Sequence, residues 1–499
     1  MKNLVSNKPI GSIKTFMKIK SYKVRVSFII FTSLFLFSAV PYFLGPGLTT
    51  PEPIGAFING TFPPVSSANN EPYRVAYQNL SFFYPITYRE IPSRNKAIVG
   101  QLNGIIFSFD ADEATTVKDV LLDLSGEVGM VSDGGFLGLT THPDFDKPTN
   151  PKNYIYVYYA TKNWNGEDLP GFGQYTTQAC FSEEYQGNFL ILERFEVDPA
   201  NMSFVTNSRT VILKNRMYGT THRGGGMDFG DDGFLYLTTG DQTAWRKAQD
   251  YTANLDGGVL RIDVDKDPTK SHAPIRKKPT DAGQSDEISG LEYWIPNDNP
   301  FLSPSGTNFE EYWSVGLRNP HRMTKDSQTG IFYMGEVGLN THEEINVLGK
   351  GKNYGWPLYE GNIAGPGCYP NLLNNMLHEA PLVSFSPLEA NSIIGGYVYR
   401  GTEIPELYGK YICADFGEGD EIWTVDISTG AYELLGIFLP EDVISFGEGG
   451  DGELFILKGG FNTPLYKMKA SEPSYDIFPQ LLSETGIFSN LNTLDVVDG

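Results

Sequence analysis

The sequence predicts an all-β protein built from many short strands. Aromatic residues make up 13% of its 499 residues, and the chain also contains 54 glycines and 32 prolines. Its apolar runs are short and lie between turn residues, which is typical of strands and too brief for ordinary helices. A chain of this length could hold several domains, but one large β assembly also accommodates it. The composition favours a single assembly.

A repeating strand pattern identifies the kind of assembly. Turn residues lead into aromatic-rich apolar runs at 105–109, 154–159, 234–237, 331–334, 411–414 and 454–457. Closely similar turns precede three of these runs, at 229–233, 326–330 and 446–452. A degenerate repeat of this kind is typical of a β-propeller, whose small sheets surround a central axis. We therefore predict a β-propeller over residues 72–469; a large sandwich or two β domains is the alternative.

Both ends of the chain differ from this pattern. Residues 1–45 contain seven lysines and arginines, all before an apolar run at 26–44 that has no charged residue. This order predicts a signal peptide or a signal anchor. Residues 46–71 are rich in Pro, Gly and Asn and predict a linker, and 470–499 form an acidic tail or the start of a further domain. We expect an exported protein, which is periplasmic, secreted or membrane-anchored facing outward, and which contacts membrane only through its N-terminal segment.

The charge of the chain excludes some partners. It carries 60 acidic against 38 basic residues, a formal net charge of −22. Seven of the basic residues lie in the N-terminal segment, so the remainder is more acidic still. Nucleic acid and anionic membrane surfaces are therefore excluded as expected partners.

Three cysteines are present, Cys180, Cys368 and Cys413, with no spacing typical of zinc or haem attachment. One internal disulfide is possible, and Cys368 with Cys413 is the first pair to test. Buried free thiols are an equal alternative.

Residues 222–242 contain the candidate catalytic chemistry. His222 precedes three glycines and a Gly-Asp-Asp-Gly turn, and the apolar run 234–237 then leads to Asp241. If this hairpin folds back, both side chains face one cleft. Imidazole can take up a proton near neutral pH, and a carboxylate can orient it. The pair is therefore a candidate base with its orienting residue; a structural histidine that caps the hairpin is the alternative.

Nine segments, in order, resemble one family. They are 135–145, 222–241, 257–264, 295–301, 316–322, 335–338, 343–346, 353–357 and 395–401. Together they are similar to the soluble glucose/sorbosone dehydrogenase family over roughly residues 75–468. That family also includes propellers like the hedgehog-interacting protein. The resemblance implies a six-bladed propeller and, for enzymatic members, the cofactors pyrroloquinoline quinone (PQQ) and Ca²⁺.

The resemblance also implies roles for individual residues. In the sugar dehydrogenases a histidine removes the proton of the anomeric hydroxyl while hydride passes to the quinone, and that histidine matches His222, with Asp241 orienting it. Arg318 and Asn319 match an Arg-Asn pair in the cofactor pocket, where a guanidinium can bind carboxylates. The family's calcium loop falls on Gly338, Leu339 and Glu343, which would supply two backbone carbonyls and one carboxylate.

Three departures from the family pattern indicate a divergent branch. Asp133 stands where the glucose dehydrogenases have a glutamine that contacts the cofactor. Arg400 replaces a lysine, which keeps the charge and changes its geometry. The arginines that clamp the cofactor after the next strand are missing, because residues 414–420 are acidic.

These observations favour an exported oxidoreductase that depends on PQQ and Ca²⁺, oxidises a sugar or polyol hydroxyl, and passes electrons to an external acceptor. The alternative is a non-catalytic propeller that binds a protein or carbohydrate ligand in the same cleft. A metal-dependent lactonase would need a converging set of acidic ligands, and no such set can be identified. His142 is expected to be structural, and His272, His321, His342 and His378 show no metal-ligand spacing.

Overall fold

The computed structural model describes residues 72–130, 132–162, 188–217, 221–252, 254–275, 292–368, 371–417, 420–438, 440 and 442–470, and the backbone of two strands near the C terminus. These residues contain β-strands and four short 3₁₀ segments but no α-helix, which confirms the all-β class. In the same part of the chain, no helix has the length and apolar character needed to cross a membrane. The predicted N-terminal segment 1–45, the linker 46–71 and nearly all of the tail 470–499 lie outside the described residues.

The strands follow one another closely along the chain. The first group is β1 (Tyr73–Val75), β2 (Pro85–Ile91), β3 (Lys96–Gln101), β4 (Ile105–Asp110), β5 (Asp119–Asp123), β6 (Phe136–Thr141), β7 (Tyr154–Ala160), β8 (Phe189–Asp198), β9 (Ser203–Phe204) and β10 (Thr210–Arg216). The second is β11 (Met227–Phe229), β12 (Leu235–Thr239), β13 (Gly258–Ile262), β14 (Ser271–His272), β15 (Ile295–Pro296), β16 (Tyr312–Val315), β17 (Pro320–Lys325), β18 (Phe332–Glu336), β19 (Glu343–Val347), β20 (Tyr359–Glu360), β21 (Ile363–Ala364) and β22 (Val383–Phe385). The third is β23 (Ile393–Val398), β24 (Lys410–Asp415), β25 (Glu421–Asp426), β26 (Tyr432–Ile437), β27 (Val443–Glu448), β28 (Leu454–Lys458), β29 (Leu465–Met468), β30 (Phe488–Asn490) and β31 (Asp495–Val496). The 3₁₀ segments are Pro92–Arg94, Trp245–Gln249, Leu373–Asn375 and Pro405–Leu407.

Most strands pair with their neighbours in sequence. Three sheets have four strands each, in the orders β11-β12-β13-β16, β17-β18-β19-β22 and β23-β24-β25-β26, and a fourth has the order β10-β8-β7-β6 with β9 beside β8. Three two-stranded sheets, β14-β15, β20-β21 and β30-β31, complete the smaller elements.

One larger sheet joins the two ends of the described fold. Its order is β1-β29-β28-β27-β2-β3-β4-β5. The early strand β1 pairs antiparallel with β29, so that Tyr73 lies opposite Met468. Strand β27 also pairs in parallel with β2 through Glu448 and Arg89. Residues far apart in sequence therefore share this sheet, which is a pairing that no local pattern predicts.

The core lies between successive sheets. One apolar cluster contains Leu192 on β8 together with Leu237 and Leu260 on β12 and β13. Another joins Tyr333 on β18 with Tyr411 on β24. Burying a side chain of this size contributes about 1.5–3 kcal/mol, so each sheet gains stability from the next one. This explains why strands such as β12, β13 and β18 are buried on both faces.

Two glycines allow neighbouring sheets to approach closely. A Cβ on Gly335 would lie 2.5 Å from the backbone nitrogen of Gly395, and a Cβ on Gly395 would lie 2.6 Å from that of Gly335. Backbone contact of this kind leaves no room for a side chain. The glycines of the 335–338 and 395–401 motifs therefore have a packing role.

Cys368 and Cys413, the first pair to test, do not form a disulfide, and for Cys413 the alternative of a buried free thiol is confirmed. Cys413 is a free thiol buried on β24, inside the apolar cluster between two sheets. Cys368 is disulfide-bonded, and its partner lies outside the described residues.

Candidate active site

Five of the predicted site residues line one cavity of about 510 Å³. They are Asp133, His222, Arg318, Asn319 and Gly338. A larger groove of about 1120 Å³ is lined by charged residues such as Asp228, Asp263 and Lys266 and by none of the predicted site residues. We take the smaller cavity as the candidate active site because the predicted site residues line it, although the other groove has the larger volume.

His222 and Asp241 form the central pair of this site. The Nδ1 atom of His222 lies 2.6 Å from Oδ1 of Asp241, and both side chains are buried. A carboxylate accepts this bond, so Nδ1 carries the proton and Nε2 keeps its lone pair. Among the described residues Nε2 has no hydrogen-bond partner, and His222 lines the cavity. The imidazole is therefore arranged to accept a proton from a molecule in the cavity.

Further donors fix the Asp241 carboxylate. The backbone N–H of Thr243 donates to Oδ1 over 2.7 Å, and Nε1 of Trp356 donates to Oδ2 over 2.7 Å. Asp241 also donates its own backbone N–H to the carbonyl of Arg318 over 2.7 Å. The indole of Trp356 thus reaches the site through Asp241.

The backbone around His222 is held in an unusual conformation. His222 has φ of 59°, and two other residues that line the cavity, Tyr84 and Ser132, have φ of 42° and 52°. Left-handed backbone at non-glycine residues costs about 1–3 kcal/mol each and concentrates at functional sites. Oδ2 of Asp133 accepts the backbone N–H of His222 over 2.8 Å. Asp133 therefore positions the histidine backbone, a contact that the family comparison did not suggest.

Arg318 and Asn319 lie just before β17 and border the same cavity. Nη1 of Arg318 donates to the carbonyl of Val337 over 2.8 Å, and its guanidinium lies 5.6 Å from the ring of Trp356. Its Nε is buried without a hydrogen-bond partner in the described part of the chain. The amide oxygen of Asn319 accepts the N–H of Gly224 over 3.1 Å. Arg318 thus has a free donor for an anionic ligand, while Asn319 holds the glycine loop.

The buried carboxyl of Glu336 lies behind these two residues. It accepts the backbone N–H groups of Arg318 and Asn319. Burial, with a contribution from Glu344, raises the pKa of Glu336 well above its usual range despite these donors. The turn that presents Arg318 is therefore anchored from inside the protein.

The predicted calcium ligands lie next to one another. The backbone N–H of Gly338 donates to Oε1 of Glu343 over 3.1 Å, and that of Ile393 donates to Oε2 over 2.9 Å. Burial raises the pKa of Glu343 to about 8, against the effect of these donors. A cation would compensate such a buried carboxylate, and the adjacent carbonyls of Gly338 and Leu339 are ligands that calcium accepts. The residues present therefore fit this ion.

A second carboxylate shapes the same loop. Oε1 of Glu360 accepts the four successive backbone N–H groups of residues 339–342, over 2.7 to 3.3 Å. Burial opposes ionisation, but these donors outweigh it and lower the pKa of Glu360. Within the described residues, no group of three or more His, Cys, Asp or Glu side chains is arranged around a common metal position. The predicted site needs only one carboxylate, so it would not form such a group.

Arg400 is not brought to the cavity. Its Nε and Nη2 donate to the two carboxylate oxygens of Asp326 over 2.7 and 2.6 Å, and it is absent from the cavity lining. The prediction that Arg400 binds the cofactor disagrees with this placement, because the guanidinium is already committed to a partly buried bidentate pair with Asp326.

His321 and Arg322 line the cavity as well, although the sequence analysis gave neither a role. Burial, together with the charge of Arg322, lowers the pKa of His321 well below its usual range. The sequence feature that could have pointed to them is their position next to Arg318 and Asn319 in the same motif. His142, in contrast, bonds to Asp265 over 3.3 Å and to the N–H of Asp144 over 2.9 Å, which is a structural arrangement outside the cavity.

Comparison with known proteins supports the family resemblance. The family model described as Glucose / Sorbosone dehydrogenase matches residues 83–289 and 290–466. The chain is 28% identical to the HIPL1 protein of Arabidopsis thaliana over 368 residues, covering 66% of this chain and 50% of that protein. It is 33% identical to the aldose sugar dehydrogenase YliI of Escherichia coli over 211 residues, covering 42% and 43%. The mouse hedgehog-interacting protein is 24% identical over 371 residues, covering 69% and 44%. The chain thus spans about half the length of these relatives or less.

Solved structures share the fold. The apo soluble aldose sugar dehydrogenase of Escherichia coli has a TM-score of 0.57 at 20% identity, covering 80% of this chain and 99% of that one. The PQQ-bound aldose sugar dehydrogenase of Streptomyces coelicolor has a TM-score of 0.55 at 19% identity, covering 80% and 97%. At this identity the likeness concerns the β-propeller fold alone. Together with the family model, which covers most of the chain, these matches show that the chain belongs to the glucose/sorbosone dehydrogenase family.

Proposed function

We propose that this protein is an exported quinoprotein oxidoreductase that oxidises a hydroxyl group of a sugar or polyol. The observation that carries the proposal is the arrangement of the His222 imidazole. Its Nδ1 is bonded to Asp241. Its Nε2 has no hydrogen-bond partner among the described residues, and the side chain lines the cavity. A general base needs this combination of a fixed tautomer and access to substrate. The sugar dehydrogenases among the relatives support the substrate class.

His222 accepts the proton in the proposed reaction. The substrate O–H proton moves to Nε2 as the C–H hydride leaves for the cofactor, so a carbonyl product forms and two electrons leave the substrate. Asp241 keeps Nδ1 protonated and stabilises the imidazolium that results. Trp356 and Thr243 hold that carboxylate in place. PQQ, when bound in the cavity, would supply the hydride acceptor, and an external acceptor would be needed for its electrons.

Cofactor binding is assigned to the same cavity. Arg318 offers a buried donor without a partner in the described residues, which suits a carboxylate of the quinone. Gly338, Leu339 and Glu343 would hold Ca²⁺, whose charge would also compensate the buried Glu343 carboxylate.

The finer architecture belongs to the proposal as well. The strands can be divided into six groups of four. These are β2–β5; β6, β7, β8 and β10; β11, β12, β13 and β16; β17, β18, β19 and β22; β23–β26; and β27–β29 with β1. We propose that these are six blades around one axis, and that the β1–β29 pair closes the ring. The basic and then apolar order of residues 1–45 supports export.

A non-catalytic binding protein is the second candidate, and one observation favours it. Asp415 lies in the acidic segment that replaces the family's cofactor arginines, and its Oδ1 accepts the backbone N–H groups of Asn391 and Ser392 over 2.9 and 2.7 Å. Ser392 lines the cavity, so a carboxylate occupies the region where the family places positive charge.

One titration distinguishes the two candidates. PQQ is added to the purified full chain with excess calcium, and the quinone spectrum is followed before and after aldoses and polyols are supplied. The proposed function predicts saturable binding, and bleaching by at least one sugar or polyol. His222→Gln should retain quinone binding and lose the bleaching. If folded wild-type protein binds no quinone, the oxidoreductase proposal fails and the binding protein takes its place.

A further inference from the structure

Two buried arginines face the cavity without a carboxylate partner. Arg322 and Arg318 expose 7% and 9% of their surface, and both line the cavity. Arg322 also lines a second, smaller cavity of about 40 Å³, which shares Ile86 and Leu137 with the first, and we call this side of the first cavity its inner end. Neither guanidinium forms an ion pair with any of the described residues.

Within the described residues, the side chain of Arg322 bonds only to uncharged groups. Its Nε donates to Oγ of Ser445 over 3.0 Å. Its Nη1 donates to the carbonyls of Leu137 and His321 over 3.3 and 3.0 Å. Nη2 has no partner among the described residues. Part of the guanidinium thus remains available to a molecule in the cavity.

Two other arginines of the fold have carboxylate partners. Arg261 is also buried and forms ion pairs with Asp232 and Asp298 over 2.9 and 2.7 Å, and the partly buried Arg400 is paired with Asp326 over 2.6 Å. A buried charge is unfavourable unless it is paired. Burial lowers the pKa of Arg322 to about 10, so the side chain still carries its charge at neutral pH. The missing counter-charge at the inner end of the cavity is the feature that requires an explanation.

We propose that Arg322, together with Arg318, forms a carboxylate-binding subsite at the inner end of the cavity, and that it takes carboxylates of the quinone cofactor. This inference rests on the proposed function. It accounts for the acidic character of residues 414–420, because strand β17 would provide the positive charge that the family draws from another segment. A planar polycarboxylate could contact both guanidinium groups, which are presented four residues apart.

Quinone binding to three variants tests the subsite. The dissociation constant of PQQ is measured by spectral titration, with excess calcium, for the wild type, Arg322→Gln and Arg322→Lys. Removing a charge-assisted hydrogen bond should weaken binding about 10- to 100-fold in Arg322→Gln, and Arg322→Lys should lie between that variant and the wild type. Arg89→Gln is the matched control, since Arg89 lines the same small cavity as Arg322 but is paired with Asp228 over 2.9 Å, and it should bind like the wild type. Equal affinity in the wild type and Arg322→Gln would overturn the subsite and leave the proposed function standing.

A second ligand separates the two proposals. If the wild type binds no PQQ, the proposed function fails, and the subsite is then tested with benzene-1,3,5-tricarboxylate, a planar anion without redox chemistry. Thermal stabilisation of the wild type and of Arg322→Lys, but not of Arg322→Gln, supports an anion subsite. Stabilisation of none of them, or equal stabilisation of all, overturns it.

Discussion

Nδ1 of His222 lies 2.6 Å from Oδ1 of Asp241, and the carboxylate is itself fixed by two further donors. Thr243 follows it in the same loop, whereas Trp356 comes from the segment after β19. The pair is therefore part of a buried network that joins two sheets. Such a network determines which imidazole nitrogen carries the proton, and this is the property that a base requires.

Asp241→Asn should reduce turnover strongly. The two carboxylate oxygens of Asp241 accept hydrogen bonds from three donors, on His222, Thr243 and Trp356. An asparagine side chain has one oxygen, and an NH₂ group replaces the other. One amide N–H would therefore face another donor, or the imidazole would change its tautomer. In the protein loaded with PQQ and calcium, we expect kcat to fall about 10²- to 10⁴-fold. Steady-state dye reduction measures this loss. Quinone affinity in the same variant should stay close to that of the wild type, and a parallel loss of affinity would argue for a structural role.

Trp356→Phe should weaken both the fold and the site. The substitution keeps an aromatic ring but removes the Nε1 donor from the fully buried Asp241. An unsatisfied buried acceptor costs about 1–3 kcal/mol, and this loss should appear in chemical denaturation. Trp245→Phe is the control, because Trp245 contacts Trp356 edge-on at 5.4 Å without a bond to Asp241. Equal loss in both variants would mean that packing, and not the hydrogen bond, is what matters.

How much of this site can be predicted from the sequence depends on how far apart along the chain the two residues of each contact lie. The hairpin pattern places Asp241 near His222, because turn residues and a short apolar run determine a local fold-back. Asp133 and His222 are 89 residues apart, and Asp326 and Arg400 are 74 apart. No local pattern encodes such contacts, which depend on how whole sheets pack. The same reason explains why Arg400 has a partner outside the cavity and why Arg322 was missed.

Calcium should stabilise the protein through Glu343. An ion bound only by the folded state adds about 2.7 kcal/mol at a concentration one hundred times its Kd, which a thermal melt with and without calcium detects. Glu343→Gln should lose most of this stabilisation. Glu344→Gln is a matched control. The carboxyl of Glu344 accepts a hydrogen bond from Nδ2 of Asn346 over 2.9 Å, and it points to the opposite face of β19 from Glu343. A calcium response that survives in Glu343→Gln would place the ion elsewhere.

The stability of the fold should fall between mildly acidic and neutral pH because of Glu448. Burial raises the pKa of its carboxyl to about 7, although Arg89 and the hydroxyl of Ser327 oppose the shift and the carboxylates of Asp228 and Asp326 add to it. An unfolded glutamate releases its proton near pH 4.5, so between that pH and about 7 the folded state binds more protons than the unfolded state. Stability then decreases as pH rises.

Glu448→Gln removes this titration. The melting temperature of the variant, compared with that of the wild type, should therefore be more favourable at pH 8 than at pH 5. Thermal melts at the two pH values measure the difference directly. Arg89 would lose a nearby negative charge in the variant, but it keeps its ion pair with Asp228, so the comparison isolates the carboxyl. A constant difference at both pH values would mean that Glu448 ionises in the folded state as it does in the unfolded chain.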